Sequence, residues 1–484
     1  MNELELNEMK ISELKELMVK GRLSSLELVD YYLDRIDEID KSGPGLNSVL
    51  EINPDARNIA MKIDDGDREG VLSGIPILIK GNIDTKDSMS STAGSLALSG
   101  NRPSSDAELV SRLREAGAVI LGKTNLSEWA NFRSTKSSSG WSSIGGQTKN
   151  PYILDRSPCG SSSGSAVAVS ANLCAAAIGT ETDGSIICPS SSNGIVGIKP
   201  TVGLVSQKGI IPISHSQDTA GPMARTVGDA AVILSVIVGT SFENDYKKLT
   251  DSISDNLSGK KIGLVKNFTG VNNDVDKLVN ESVILMKGAG AIIIDTHLKT
   301  KGKFDDAEFD VLLYEFKDGI NRYLKTCNAE SKVHSLSDLI AFNKLNASVV
   351  MPWFGQDILE LAEKKGSLSD RKYKNALKKS RKLSGKNGID FLTKKHNLDA
   401  LLAPSGGPSW KTDLINGDHF TLGSSSTAAV SGYPNITVPA GFIHGLPVGI
   451  SFFGKAKSDW ELIKIAAAFE NISCIRQVPS YSSS

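Results

Sequence analysis

Short apolar runs alternate with helical spacing in the first half of the chain, and this alternation most constrains its fold. Residues 75–79 form a continuous apolar run bounded by Gly74 and Gly81, which is typical of a buried strand. Residues 106–116 then have helical spacing and end at a glycine, and a second buried run, AVILGKTN, follows. Because strands that are separated by helices pair side by side, the pattern predicts an α/β fold with parallel strand pairs.

The stretch 160–188 is rich in serine and glycine and contains no histidine. Ser161 and Ser185 each follow a glycine directly. Ser161 precedes a segment with helical composition, and Ser185 follows a strand-like run in the turn TETDGS. Since ligands bind at the carboxyl ends of strands in open α/β sheets, a site is expected here. A nucleophilic serine needs a base, and the local candidates are lysine and serine.

Lys80 is the candidate base, because it ends the apolar run of residues 75–79. A lysine with the ordinary pKa of about 10.4 is almost wholly protonated at pH 7 and accepts no proton. Burial in apolar surroundings lowers the pKa of a lysine by several units, so this setting suits a base. The residues alone leave open the alternative of a lysine at a strand end whose amine reaches solvent.

The turn Asp183-Gly184-Ser185 makes Ser185 the candidate nucleophile. The backbone N–H groups of residues 182–185 (Thr182, Asp183, Gly184 and Ser185) are placed to converge on one point as an oxyanion hole. A simple Gly-Ser turn is the alternative. The segment GSSSGS could likewise be a flexible or phosphate-binding loop, but it lacks the GK[ST] ending of a P-loop, which disfavours nucleotide binding.

These motifs together resemble the amidase signature family. The resemblance is carried by GIPILIK, GSSSGS and GTETDGSI, and it continues through GIKPT, SQDTAGPMAR and YPNITVPAG. It implies a large mixed central β-sheet covered by helices on both sides, with a mainly helical insert. It also implies a catalytic triad of Lys80, a bridging serine on a cis peptide bond (Ser161) and an acyl-forming serine (Ser185), with no cofactor and no metal.

Further segments, among them GWSSIGGQTKNPY and LLYEFKDGINRYL, resemble the bacterial peptide amidases of this family, which remove the C-terminal amide from peptides. The hypothesis is that neutral Lys80 takes a proton from Ser161, which takes one from Ser185. Ser185 then attacks the amide carbon, ammonia leaves and water hydrolyses the acyl-enzyme. Two alternatives share this chemistry: the glutaminase subunit of a tRNA-dependent amidotransferase, and an amidase acting on other small or fatty amides.

Three positions depart from the family pattern. Gly81 stands where the residue after the lysine is usually acidic, which would hold Lys80 less firmly if that acid orients it. Ile187 replaces an arginine, so a substrate carboxylate is less expected at that position. Asp183 replaces the commoner glycine, as the peptide amidase resemblance implies.

The long Ser/Gly/Asn-rich segment 129–165 carries three large aromatic residues, Trp129, Phe132 and Trp141. They argue against disorder. They either belong to the core or form the wall of a peptide-binding cleft, and the sequence leaves both possibilities open.

Composition excludes several other classes of protein. The formal net charge is -1, from 54 basic and 55 acidic residues, which gives no global attraction to nucleic acid or to anionic membranes. The basic stretch 371–386 makes RNA contact conceivable, but a solvated helix face is the simpler interpretation. The six histidines are scattered, without HxxxH or HxH spacing, so a metal site is not expected. No apolar run approaches the roughly 20 residues of a membrane span.

The five cysteines are odd in number and contain no CxxC pair, so we expect reduced thiols in a cytoplasmic protein. A nucleophilic Cys159 or Cys188 is disfavoured, because no histidine lies near either in sequence. The acidic, amphipathic start does not read as a signal peptide. We expect a monomer or homodimer that acts on a small-molecule or peptide amide, with no nucleic-acid or membrane partner.

The chain is expected to form a single domain over residues 1–484. Within it we predict an N-terminal helical segment (1–70), a core with the Ser/Gly-rich motif (71–240), a mainly helical subdomain or insert (241–400), and C-terminal strands with a helix that complete the core (401–484).

Overall fold

Helices and strands alternate along the computed structural model, which describes residues 6–66, 70–239, 256–327 and 332–483. The strands of the described residues, numbered β1 to β13, are Val49–Ile52, Pro76–Lys80, Val119–Thr124, Trp141–Ser142, Gly146–Gln147, Ala176–Glu181, Val196–Lys199, Thr219–Ala224, Lys261–Val265, Ile292–Thr296, Ala400–Pro404, Asn435–Ile443 and Leu446–Phe453. Their α-helices, numbered α1 to α16, are Ile11–Val19, Ser25–Arg35, Ala56–Asp64, Glu108–Glu115, Ser163–Ser170, Ile187–Ser192, Val227–Val238, Asn273–Gly288, Asp305–Leu324, Leu336–Leu345, Ala347–Val350, Asp357–Glu363, Arg371–Arg381, Asp390–His396, Ser426–Ser431 and Asp459–Ser473.

One large mixed sheet dominates the described part of the chain. Eleven strands follow the order β1-β3-β2-β6-β8-β7-β12-β13-β11-β9-β10, and β4 pairs with β5 in a separate two-stranded sheet. The strands β3, β2 and β6 run parallel, as do β11, β9 and β10, whereas the strands between these two groups pair antiparallel. The predicted α/β fold with a mixed central sheet is confirmed.

The central strands are covered on both faces. Every residue of β2, β3, β6 and β8 is buried, although successive side chains of a strand point to opposite faces of the sheet. Continuous apolar sequence in these strands is therefore the signature of helices packed on either side. This is why residues 75–79 read as an unbroken apolar run rather than an alternating one.

The described residues of the N-terminal segment form the helices α1 to α3 and the strand β1. Helices α1 and α2 fall within residues 11–37, and α2 begins with a capping box. The Ser24 hydroxyl accepts a hydrogen bond from the Glu27 N–H at 3.1 Å, and the Glu27 carboxylate accepts one from the Ser24 N–H at 2.7 Å. Two donors at the start of the helix are thereby satisfied.

The region predicted as a mainly helical insert contains the helices α8 to α14 among its described residues. It also supplies β9 and β10, which join the main sheet at one edge. The C-terminal strands β12 and β13 lie in the middle of the sheet, between β7 and β11. The division into four stretches stays a prediction, and its boundary at residue 240 lies outside the described residues.

The three aromatic residues of the long segment belong to the interior. Trp129 and Phe132 are buried in a second hydrophobic cluster with side chains of α9, α10 and α12. Trp141 is buried too, and its ring meets Phe354 edge-on with centroids 5.2 Å apart. Of the two interpretations that the sequence leaves open, the structure supports the core. In the part of the chain that the structure describes, no helix is both long and apolar enough to cross a membrane.

Candidate active site

The candidate site lies where parallel strands β2 and β6 end side by side. The register pairs Ile79 with Ile178, so Lys80 at the end of β2 comes beside Gly179, and its Nζ reaches Thr180 Oγ1 at 2.9 Å. The chain leaves β6 through the turn at residues 182–185 and enters α6 at Ile187. The loop before α5 brings Ser161 to the same point. The topology thus gathers three segments that are far apart in sequence.

Lys80 is fully buried and surrounded by hydroxyl groups. Its Nζ lies 2.8 Å from Ser161 Oγ, 2.9 Å from Ser162 Oγ and 2.9 Å from Thr180 Oγ1. Within the described residues, no carboxylate lies in ion-pair distance of Nζ. The alternative of an amine that reaches solvent is therefore wrong for Lys80. The reason is that the end of β2 lies inside the molecule.

Burial lowers the pKa of Lys80 from its usual value to about 7. The negative charges of Glu181 and Asp218 act in the opposite direction and limit this fall. A substantial fraction of the Lys80 side chains is then neutral at pH 7. A neutral amine donates two hydrogen bonds and accepts one, so one of the three surrounding hydroxyls has to donate to Nζ. The geometry thus supports a lysine that accepts a proton.

Ser161 and Ser162 both contact Lys80, but their hydroxyls differ in what else they bind. The Ser162 hydroxyl donates to the Thr180 carbonyl at 3.0 Å and accepts from the Thr180 N–H at 3.2 Å. Lys80 is the one hydrogen-bond partner of Ser161 Oγ among the described residues. Ser161 follows a cis peptide bond from Gly160, and its carbonyl accepts from the Ser127 N–H at 3.1 Å. Ser161 therefore has a proton to give to Lys80, whereas that of Ser162 is committed to a carbonyl.

Ser185 lies in the turn after β6, with 7% of its surface exposed. Its carbonyl accepts a hydrogen bond from the Ser162 N–H at 3.1 Å, which ties the two serine segments together. Among the described residues, no acceptor takes the backbone N–H of Asp183, Gly184 or Ser185. Three adjacent unclaimed donors beside a serine can bind a developing negative charge. Gly184 has φ +77, a conformation that glycine adopts at little cost.

Glu181 holds the chain in place where it leaves the turn at residues 182–185. Its buried Oε2 accepts hydrogen bonds from the N–H groups of Ile186 at 2.8 Å and Ile187 at 2.9 Å. Burial raises the pKa of Glu181, and the nearby Lys199 ammonium acts against this rise. Sequence reasoning missed Glu181, Thr180 and Ser162. The first two stand in GTETDGS itself, where alternation along β6 would place Thr180 on the opposite face from Glu181.

Gly81 is explained by its surroundings. A Cβ at this position would lie 3.1 Å from the Thr124 carbonyl oxygen and 3.2 Å from the side chains of Leu50 and Leu126. An acidic side chain would therefore be forced into an apolar, crowded space. Lys80 is nevertheless held by three hydroxyls, so the departure from the family pattern leaves its position defined.

A cavity of about 230 Å³ opens beside the serine turns. Its walls come from the Ser161 loop, the Ser185 turn and the loop before α15, and the residues that line it are Asn131, Ser139, Cys159, Gly160, Asp183, Gly184, Cys188, Trp410, Asp418, Phe420, Ser425 and Ser426. Trp410 and Phe420 supply its aromatic surface, a role that the sequence offered for Trp129, Phe132 and Trp141. Among the described residues, no group of His, Cys, Asp and Glu side chains is arranged to hold a metal ion.

The expectation of reduced thiols is wrong for two of the five cysteines. Cys159 and Cys188 form a disulfide, with their Cα atoms 6.0 Å apart. They come together because one precedes Ser161 by two residues and the other follows Ser185 by three, and the fold joins these segments. A spacing of 29 residues without a CxxC pair gives no hint of this. Neither sulfur is a free thiol, which removes Cys159 and Cys188 as nucleophile candidates.

Comparison with known proteins agrees with this geometry. A family model described as Amidase matches residues 27–463. The chain belongs to the amidase family. It is 42% identical to a probable amidase of Arabidopsis thaliana, over 98% of this chain and 92% of that one. The crystal structure of native peptide amidase from Stenotrophomonas maltophilia superposes with a TM-score of 0.92 at 47% identity, covering 99% of both chains.

The family also contains proteins with a different role. One of the subunits of the glutamyl-tRNA(Gln) amidotransferase of Thermoanaerobacter pseudethanolicus is 32% identical over 98% of this chain and 99% of that one. Family membership makes this protein an amidase, a hydrolase that acts on amide C–N bonds. The amidase signature fold expected from the sequence is likewise confirmed.

Proposed function

We propose that this protein hydrolyses the C-terminal amide of peptides and releases ammonia. The observation that carries the proposal is the contact of Lys80 Nζ with Ser161 Oγ at 2.8 Å, in a buried setting that lowers the pKa of Lys80 to about 7. The 47% identity to a peptide amidase over nearly the whole chain supports the substrate class.

The proposed reaction begins with two proton transfers. Neutral Lys80 accepts the proton of Ser161, and Ser161 accepts that of Ser185 as Ser185 Oγ attacks the carboxamide carbon. The serine bridge suits this role because a hydroxyl both donates and accepts. The oxyanion is bound by the N–H groups of residues 182–185. One such donor contributes roughly 10²–10³ in rate.

The second half of the reaction reverses the relay. The proton held by Lys80 returns through Ser161 to the leaving nitrogen, the C–N bond breaks and ammonia leaves. A water molecule then gives a proton to the relay and attacks the acyl carbon. The ester bond to Ser185 breaks, Ser185 regains its proton and the peptide acid is released. We propose that this proceeds in a monomer or homodimer, without a second kind of protein chain.

The test is ammonia release from four substrates: a peptide C-terminal amide, free glutamine, a fatty amide and an aryl amide. We expect the peptide amide to be the best substrate. Ser185→Ala should lower the rate by about 10⁴-fold or more, as loss of a nucleophilic serine does. Ser190→Ala is the matched control, since Ser190 is a buried serine on α6 whose hydroxyl has no hydrogen-bond partner among the described residues.

Two results would contradict the proposal. A Ser185→Ala protein with the wild-type rate would exclude the acyl-enzyme. Hydrolysis of glutamine with no activity on peptide amides would favour the amidotransferase subunit instead.

A further inference from the structure

Asp183 is the acidic residue of the turn at residues 182–185, and it lines the cavity. It stands two residues before Ser185, where the family commonly has glycine. Its Oδ1 accepts a hydrogen bond from Ser425 Oγ at 2.6 Å, which fixes the direction of the carboxylate. The residue is partly buried, and it lines the cavity beside the turn that carries Ser185.

A second carboxylate, that of Asp418, lines the same cavity, but its oxygens are occupied by hydrogen bonds to the cavity walls. Asp418 accepts hydrogen bonds from the N–H and Oγ of Ser139 and from Trp410 Nε1, at 3.1, 2.6 and 3.2 Å. It therefore joins two walls of the cavity. Asp183 instead lies within the turn at residues 182–185. A carboxylate offers about four acceptor sites, and the serine neighbours of Asp183 occupy fewer than that.

Glu308, in the first turn of α9, stands behind Asp183. It is buried, and Gln217 Nε2 donates both to Glu308 Oε1 at 3.0 Å and to the Thr182 carbonyl at 3.2 Å. Burial and the charge of Asp183 raise the pKa of Glu308 well above its usual value. Burial and the neighbouring carboxyl thus favour the neutral form of Glu308, and repulsion between the two acids disfavours a second negative charge beside Asp183.

Neither acid of this pair is in an ion pair with a described residue. Burial raises the pKa of Asp183, and the hydrogen bonds that the serine hydroxyls of the α15 entry donate to it act against this rise. The charge of Asp305 raises the pKa of Asp183 further, and that of Lys199 lowers it. The cavity thus presents the Asp183 carboxylate, with acceptor sites to spare, beside the turn that carries Ser185. Such a group binds N–H donors and repels carboxylates.

We infer that Asp183 accepts a hydrogen bond from the main-chain N–H of the substrate residue that carries the scissile amide, and so selects peptide amides over simple amides. This inference rests on the proposed function. A fatty amide has no such N–H beyond its leaving group. The peptide acid that forms in the reaction bears a carboxylate, which the same charge disfavours in the site.

The experiment compares acetyl-Ala-Phe-NH₂ with its depsipeptide analogue, in which an ester oxygen replaces the Phe N–H. Ammonia release gives kcat/KM for both. For the wild type we expect the amide to exceed the analogue by about 10- to 100-fold, because a hydrogen bond to a charged group is lost. In Asp183→Gly, which keeps the backbone N–H, we expect this ratio to fall to within about threefold.

Asp306→Asn is the matched control, since it removes an exposed carboxylate from the same first turn of α9 and should keep the wild-type ratio. If Asp183→Gly does not fold, Ser425→Ala takes its place. That variant leaves Asp183 without its fixing donor, and we expect the ratio to fall by about threefold or more.

The outcomes separate this inference from the proposed function. A wild type that releases no ammonia from acetyl-Ala-Phe-NH₂ overturns both. A wild type that hydrolyses the peptide amide, but with a ratio near one, overturns the inference alone. An unchanged ratio in Asp183→Gly, or in Ser425→Ala where that variant is used, overturns it as well.

Discussion

Lys80 and Lys123 lie one register position apart near the ends of the neighbouring parallel strands β2 and β3, on opposite faces of the sheet. Both are fully buried, and burial lowers the pKa of Lys80 to about 7 and that of Lys123 to about 8. Their neighbours differ. Lys80 meets three hydroxyls, whereas Lys123 donates to the Ile83 carbonyl and, at 3.2 Å, to Ser91 Oγ.

The difference teaches that burial alone does not make a catalytic base. The Ile83 carbonyl has no proton to give, and the Ser91 hydroxyl donates its own proton to that carbonyl at 3.2 Å, so neither group is free to pass a proton to Lys123. The charge of Asp84 also favours the protonated form of Lys123. Lys80 instead contacts Ser161, a hydroxyl with no competing partner among the described residues. What distinguishes the two lysines is the chemistry of the neighbour.

The strictest test of the comparison between Lys80 and Lys123 is to remove each amine in turn. We expect Lys80→Met to lower kcat/KM for a peptide amide by about 10²–10⁴-fold, the usual contribution of a positioned acid–base group. Lys123→Met should stay within about tenfold of the wild type, below that range. Circular dichroism and thermal unfolding show whether each variant is folded. Equal losses in two folded variants would mean that the hydroxyl environment of Lys80 is not decisive.

The two serines that contact Lys80 provide a finer comparison. Ser161→Ala removes the hydroxyl that has a proton to give, and we expect kcat to fall by about 10²-fold, less than in Ser185→Ala. Ser162→Ala should cost about tenfold or less, because its proton is committed to the Thr180 carbonyl. Steady-state ammonia release measures both variants. A larger loss in Ser162→Ala would mean that Ser162, and not Ser161, forms the relay.

The sequence predicts those parts of the site that local pattern determines. An apolar run that ends in Lys80 and a glycine before each of Ser161 and Ser185 are visible without a structure. The contact of Lys80 with Thr180 depends on the register of β2 and β6, which no local pattern specifies. The disulfide of Cys159 and Cys188 depends in the same way on two segments that meet only in the fold.

Prediction of the fold from local sequence pattern meets the same limit. Alternating apolar and helical segments predict the parallel strands β3, β2 and β6, because each strand is followed by a helix that returns the chain. The central position of β12 and β13 depends on pairing with strands that are far away in sequence. Their apolar, glycine-rich sequence marks them as buried strands, but only the structure places them between β7 and β11.

The pH dependence of the reaction assigns the base to one of the two lysines. The active form of Lys80 is neutral, and its lowered pKa of about 7 means that it becomes protonated as the pH falls through that value. We therefore expect kcat/KM to level off above about pH 8 and to fall roughly tenfold per unit well below pH 7. Asp218, with a pKa raised by burial to about 6, titrates in the lower part of this range.

The variant Lys123→Met separates the contribution of Lys123 to the pH profile from that of Lys80. We expect this variant to keep the wild-type midpoint near pH 7, because Lys123, with its pKa of about 8, takes no part in the relay. A wild-type midpoint that is lost in Lys123→Met would instead identify Lys123 as the titrating group. The rate profile from about pH 5 to 9, measured with one peptide amide, distinguishes these results. A midpoint that survives in Lys123→Met would show that the neighbour of a buried lysine, and not its depth, decides its function.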